Sequence, residues 1–88
     1  MTVERAMKYL KIIENSGEEN QKNKAIEELQ ELIDAIKKDD IDNIAEEVAD
    51  VHIMLTQLSF IYNFNDEYME SLIDYKLNRT LFRMGLKK

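Results

Sequence analysis

AIEELQELIDAIKKDDIDNIAEEVADVHIML, Ala25–Leu55, is the stretch that decides the fold. It contains no Pro or Gly, and its apolar residues recur at helical spacing on both sides of Asp39-Asp40. Before that break, Ala25, Ile26, Leu29, Leu32, Ile33 and Ile36 make one apolar stripe. After it, Ile41, Ile44, Val48, Val51, Leu55 and Leu58 make a second. Lys37 and Lys38 suit the negative end of a helix dipole, and Asp39, Asp40 and Asp42 offer an N-cap for the next helix. The spacing therefore predicts helices over 18–38 and 41–62 joined by a short turn.

Outward from this hairpin the pattern continues. Val3, Ala6, Met7, Leu10 and Ile13 predict a first helix over 2–15. Ser16-Gly17 ends it, with Gly17 in the C′ position and Ser16 with Glu19 spaced as a capping box for the second helix. Asn63–Asp66 break the third helix and cap a fourth over 67–84. The expected fold is all-α, a four-helix bundle forming a single domain over 1–88. With 88 residues and no Cys, the chain has no disulfide staple and depends on oligomerisation for part of its stability.

Charge narrows the function. The net charge is −6, which argues against a nucleic-acid polymer as partner. Residues 1–50 hold 14 acids against seven bases, whereas from Tyr75 onward there are five bases and no acid. Met1–Lys11 lacks the apolar core of a signal peptide, and Val51–Asn65, the longest stretch without Asp, Glu, Lys or Arg, is too short to span a bilayer. The expected setting is cytoplasmic, away from membranes.

Two carboxylate pairs stand out, Glu28 with Glu31 and Glu47 with Asp50. Residues three apart on a helix differ by about 60°, so each pair shares a face. Both pairs fall on the same flank of their helix's apolar stripe, so antiparallel packing lets four carboxylates converge. Clustered oxygen ligands suit a hard divalent cation such as Mg²⁺. Solvated acids beside a core are the other reading of the same spacing. A di-iron bundle is set aside because the one His, His52, follows Ala49 where Glu-x-x-His is needed. An EF-hand from Asp40 fails because Ala45 stands where Gly is required.

The fourth helix carries Lys76, Arg79 and Arg83 along an otherwise apolar face of Leu72, Ile73, Leu77, Thr80 and Met84. A central cation is costly unless an anion meets it, so these residues are candidate phosphate ligands facing the acidic pairs. Snorkelling lysine and arginine stems are the plainer explanation. Gln21, within Glu18–Gln21, offers an amide able to read a nucleobase edge.

With these residues in view, the chain resembles the MazG-like all-α nucleoside triphosphate pyrophosphohydrolases. GEENQKNKAIEELQELIDAI (Gly17–Ile36), IAEEVADVHIML (Ile44–Leu55) and KLNRTLFR (Lys76–Arg83) carry the resemblance, with ExxE, a 15-residue spacer and ExxD in order. It looks like the short single-domain members found in phages. The resemblance implies a Mg²⁺-dependent hydrolase, with Mn²⁺ as a substitute, that cleaves the α–β phosphoanhydride of an NTP or dNTP to monophosphate and pyrophosphate. It implies that Glu28, Glu31, Glu47 and Asp50 bind the metal, and that Lys76, Arg79 and Arg83 contact the triphosphate. Glu31 is then the candidate for activating water and Gln21 for contacting the base. It further implies a homodimer or homotetramer. Two other readings remain, a catalytically silent helical dimerisation module and a nucleotide-binding regulator. Lys76 mid-stripe and the paired carboxylate flanks favour the enzyme.

Overall fold

The computed structural model describes residues 1–86, which form four helices with no strand among the described residues. Lys87 and Lys88 of the basic end lie outside them. Helix α1 is Val3–Ser16, α2 Glu18–Lys38, α3 Ile41–Tyr62 and α4 Asp66–Arg83. All four helices thus fall within a residue or so of the bounds read from the sequence.

The ends follow local chemistry. The Thr2 hydroxyl accepts from the Arg5 N–H at 3.1 Å and starts α1. Gly17 closes it with φ 87° and ψ 150°, its N–H donating to the Ile13 carbonyl at 2.8 Å. The capping box expected of Ser16 and Glu19 does not form. Ser16 stays inside α1, where its carbonyl accepts from the Asn20 amide at 2.7 Å, and α2 starts without a side-chain cap. Asp39 turns left-handed at φ 53°, and the Asp40 carboxylate accepts from the Asn43 N–H at 3.3 Å to start α3. Asn63 repeats the left-handed exit at φ 58°, and Asn65 caps α4 by accepting from the Tyr68 N–H at 2.7 Å.

The two-residue link between α2 and α3 makes them an antiparallel hairpin, and this pair forms the body of the molecule. Helix α1 lies against both, with Tyr9 and Phe60 rings 5.9 Å apart. Among the described residues, α4 packs on none of the other three helices.

The helix faces that meet differ from those read off the apolar stripes. On α2 the buried residues are Gln21, Ala25, Glu28 and Ala35; on α3 they are Val51, Met54 and Gln57. Ile26 and Ile36 are 67% and 56% exposed, and Leu29, Ile33, Ile41, Val48 and Leu55 are exposed as well. The small side chains of Ala25 and Ala35 let the helices approach closely, and this turns the contact face toward the carboxylate flank. The isoleucines are left on the outside. On α4, Ile73, Leu77 and Met84 are exposed and only Leu72 of the expected inward face is half-buried.

Gly17 is the position where the backbone demands glycine, because its φ and ψ together fall in a region that other residues hardly occupy. Gly17→Ala meets no neighbouring atom, so its effect is backbone strain alone. It is expected to destabilise the chain by about 1–3 kcal/mol, measured by urea unfolding. An unchanged midpoint would show that the α1–α2 turn relaxes freely.

Candidate metal and phosphate site

The rotation of the hairpin carries the acidic pairs into the helix–helix seam. Glu28 is 7% exposed, while Glu47 and Asp50 are half-buried. Each of the three offers a carboxylate oxygen, and these oxygens lie within 4.8 Å of one another. Glu31, the fourth acid read from the sequence, is exposed at the rim, close enough to Glu28 for each to shift the other's proton affinity.

One cation reaches this cluster. Lys24 places its ammonium 3.1 Å from Glu28 Oε1 and 3.5 Å from Glu27 Oε1. Lys24 is not among the residues expected from the sequence, and its i, i+4 spacing to Glu28 is the signal that marks it. Glu28 Oε2 and Glu47 Oε2 are buried and accept no hydrogen bond.

The proton affinities record the crowding. Burial alone would raise the Glu28 pKa, but the Lys24 ammonium and the neighbouring carboxyls outweigh it and hold Glu28 below its ordinary value. Glu31 is raised, chiefly by the adjacent Glu28. Glu47 is pushed up to about 7, first by burial and then by the negative charge of Glu31 and Glu28.

Three hard oxygen donors with two orphaned oxygens fit a divalent cation of the Mg²⁺ or Mn²⁺ type. The donors contain no nitrogen or sulfur, which suits those ions better than Zn²⁺.

The remaining candidates lie apart from this cluster. Lys76, Arg79 and Arg83 are exposed on α4, which does not touch α2 or α3, so within one chain they do not face the carboxylates. The Arg79 guanidinium lies 5.6 Å from the Tyr75 ring centre. Gln21 is in the α2–α3 seam with its side-chain oxygen unpartnered. His52 is exposed on α3 and lines a groove with Arg5, Lys8 and Tyr9 of α1.

Residues 16–79 match the family model described as the MazG nucleotide pyrophosphohydrolase domain. That span covers most of the chain, including α2, α3 and all four acidic residues, and the protein belongs to this family. Lys76 and Arg79 fall inside the matched span, and Arg83 falls beyond it. Comparisons with curated proteins and with solved structures return no significant match.

A carboxyl held protonated in the folded chain stabilises it below the ordinary carboxylate range and loses that contribution as pH rises through the folded pKa. Glu47 and Glu31 are both shifted in that sense, and the lowered Glu28 acts only below its ordinary range. The metal-free protein is therefore expected to melt at lower temperature as pH rises from about 5 to about 8, and Glu47→Gln to flatten that slope. A melting temperature that climbs over this interval in the chelated wild type would contradict the assignment.

Proposed function

We propose that the chain is a Mg²⁺-dependent nucleoside triphosphate pyrophosphohydrolase, with Mn²⁺ able to replace Mg²⁺. It cleaves the α–β phosphoanhydride of an NTP or dNTP and releases the monophosphate and pyrophosphate. The observation that carries this reading is the convergence of Glu28, Glu47 and Asp50 within the segment that matches the pyrophosphohydrolase family.

Glu28, Glu47 and Asp50 would hold the cation, with Glu31 completing the set from the rim. The bound cation would supply charge neutralisation at the phosphate oxygens and a lowered pKa for nearby water. Glu31 orients the attacking water and takes its proton as the water oxygen adds to the α-phosphorus. The bond from that phosphorus to the bridging oxygen breaks, and pyrophosphate leaves with the charge that Lys76, Arg79 and Arg83 stabilise. Gln21 contacts the base.

The unpacked α4 and the exposed apolar stripe of α2 support a homo-oligomer in which a second copy covers both. In such a dimer or tetramer the basic face of α4 reaches the acidic cluster of a neighbouring copy, so one chain alone holds half of the site. A silent dimerisation module would account for the apolar stripe but leaves one buried and two half-buried carboxylates, mutually repelling, without a purpose. No helix among the described residues is long and apolar enough to cross a membrane, which agrees with a cytoplasmic setting. The acidic balance agrees with free nucleotides in preference to nucleic-acid polymers.

The test is incubation with each NTP and dNTP plus Mg²⁺, with monophosphate and diphosphate products resolved by ion-exchange chromatography. Monophosphate and pyrophosphate are expected; nucleoside diphosphate, or no product, would overturn the assignment. Glu47→Gln is expected to remove turnover at limiting Mg²⁺ while far-ultraviolet circular dichroism stays helical. Lys76→Met is expected to weaken nucleotide binding by about 1.5–3 kcal/mol, the usual worth of a hydrogen bond to a charged group. Pyrophosphate-release kinetics unaffected by Lys76→Met would remove α4 from the site.

A further inference from the structure

The most deeply buried large side chain is an amide with nothing to bond. Gln57 is 1% exposed, and neither its side-chain nitrogen nor its oxygen has a hydrogen-bond partner. Gln21, across the seam on α2, is 6% exposed with its side-chain oxygen unpartnered. Buried amides are almost always paired, because an unsatisfied one forfeits its hydration without return. Two in one seam require an explanation that packing does not give.

Their register relative to the acidic cluster supplies one. Gln21 precedes Glu28 by seven residues, and Gln57 follows Asp50 by seven. Seven residues are two turns, an advance of about 10.5 Å along the axis with about 20° of rotation, so each amide shares a face with its acid. Because α2 and α3 are antiparallel, both displacements run the same way, toward the end of the hairpin away from the Asp39–Asp40 turn. Helical register thus places both amides about two turns from the carboxylates on the same side of them, a span comparable to that between the phosphates and base of a nucleotide.

We propose that Gln57, with Gln21, is the specificity-determining element that reads the nucleobase edge of the substrate. This rests on the pyrophosphohydrolase reading above and adds to it a residue that neither the sequence motifs nor the acidic cluster singled out. An amide presents a donor and an acceptor together, the complement of the adjacent donor and acceptor on a base's pairing edge. Bound, the base satisfies the orphaned groups, and a base with the wrong pattern leaves them buried and unpaired.

Entry requires the cover to move. Phe60, three residues after Gln57, has its ring 5.9 Å from that of Tyr9 on α1, and Ile53, four residues before Gln57, lines one groove with Tyr9, so α1 lies along this part of the seam. Helix α1 buries none of its own residues fully and joins α2 through Gly17 alone. It is the lightly held element of the three-helix body.

The test compares kcat/KM across the NTP and dNTP panel for wild type, Gln57→Leu and the near-isosteric Gln57→Met, together with melting temperature without ligand. Wild type is expected to prefer one base. Gln57→Leu is expected to melt at higher temperature, because it removes the unsatisfied amide, yet to compress the ratio between preferred and disfavoured bases by about tenfold, the worth of one hydrogen bond. The loss is expected mainly in KM. Should the Leu variant not fold, Gln57→Met carries the same comparison. Unchanged base ratios in a folded variant, or a wild type indifferent to the base, would overturn the role of Gln57 while leaving the pyrophosphohydrolase reading intact. A wild type that hydrolyses no nucleotide would overturn both.

Discussion

Glu28, Glu47 and Asp50 sit in the seam between two antiparallel helices, and three carboxylates there cannot all remain ionised without help. Among the described residues one ammonium, that of Lys24, pairs with the cluster, and it reaches Glu28. The remainder of the strain appears as protonation, with Glu47 raised to about 7. A divalent cation relieves the same strain in another way, by drawing the oxygens onto one positive centre. In the proposed metal-dependent enzyme, burial would thus create both the penalty in the metal-free protein and the affinity for the ion.

The rotation that brings the carboxylates inward also turns large apolar side chains outward. Among the described residues the buried apolar ones are Ala25, Ala35, Val51 and Met54, a small core for four helices. Ile26, Leu29, Ile33 and Ile36 line the outside of α2 at the three- and four-residue spacing of a helix–helix seam. Among the described residues helix α4 packs on no other helix, and its apolar residues and the basic side chains Lys76, Arg79 and Arg83 stand exposed. The carboxylates of the seam and the isoleucines compete for the interior of a single small hairpin, and the isoleucines stand on the outside, where the proposed homo-oligomer would cover them.

Helix positions were legible in the sequence because the breaks carry strong local chemistry: Gly17, Asp39-Asp40 and Asn63–Asp66 each act within a turn of where they stand. The pairing of acidic flanks was legible too, since helical angles put Glu28 and Glu47 on matching sides. What hydropathy does not encode is which of two neighbouring faces an apolar stripe covers, the partner helix in the chain or a surface beyond it. That is why Ile26 and Ile36 read as core and stand exposed, while Glu28 read as flank and is buried. Lys76 facing the carboxylates was likewise an expectation about the position of α4, and no local signal fixes that position across the Asn63–Asn65 turn. Gln57 was missed because a lone polar residue in an apolar helix carries no motif; its seven-residue offset from Asp50 acquires meaning beside Gln21 and Glu28.

The central claim is that the acidic seam is built around a divalent cation, and cation binding measured without substrate tests it most directly. Metal-free protein at about pH 7.5, above the raised Glu47 pKa, is titrated with Mn²⁺ while the free ion is followed by electron paramagnetic resonance. Saturable binding is expected, displaced by Mg²⁺ and abolished by Glu28→Gln without loss of helicity. Non-saturable binding, or saturable binding that Glu28→Gln leaves unchanged, would contradict it.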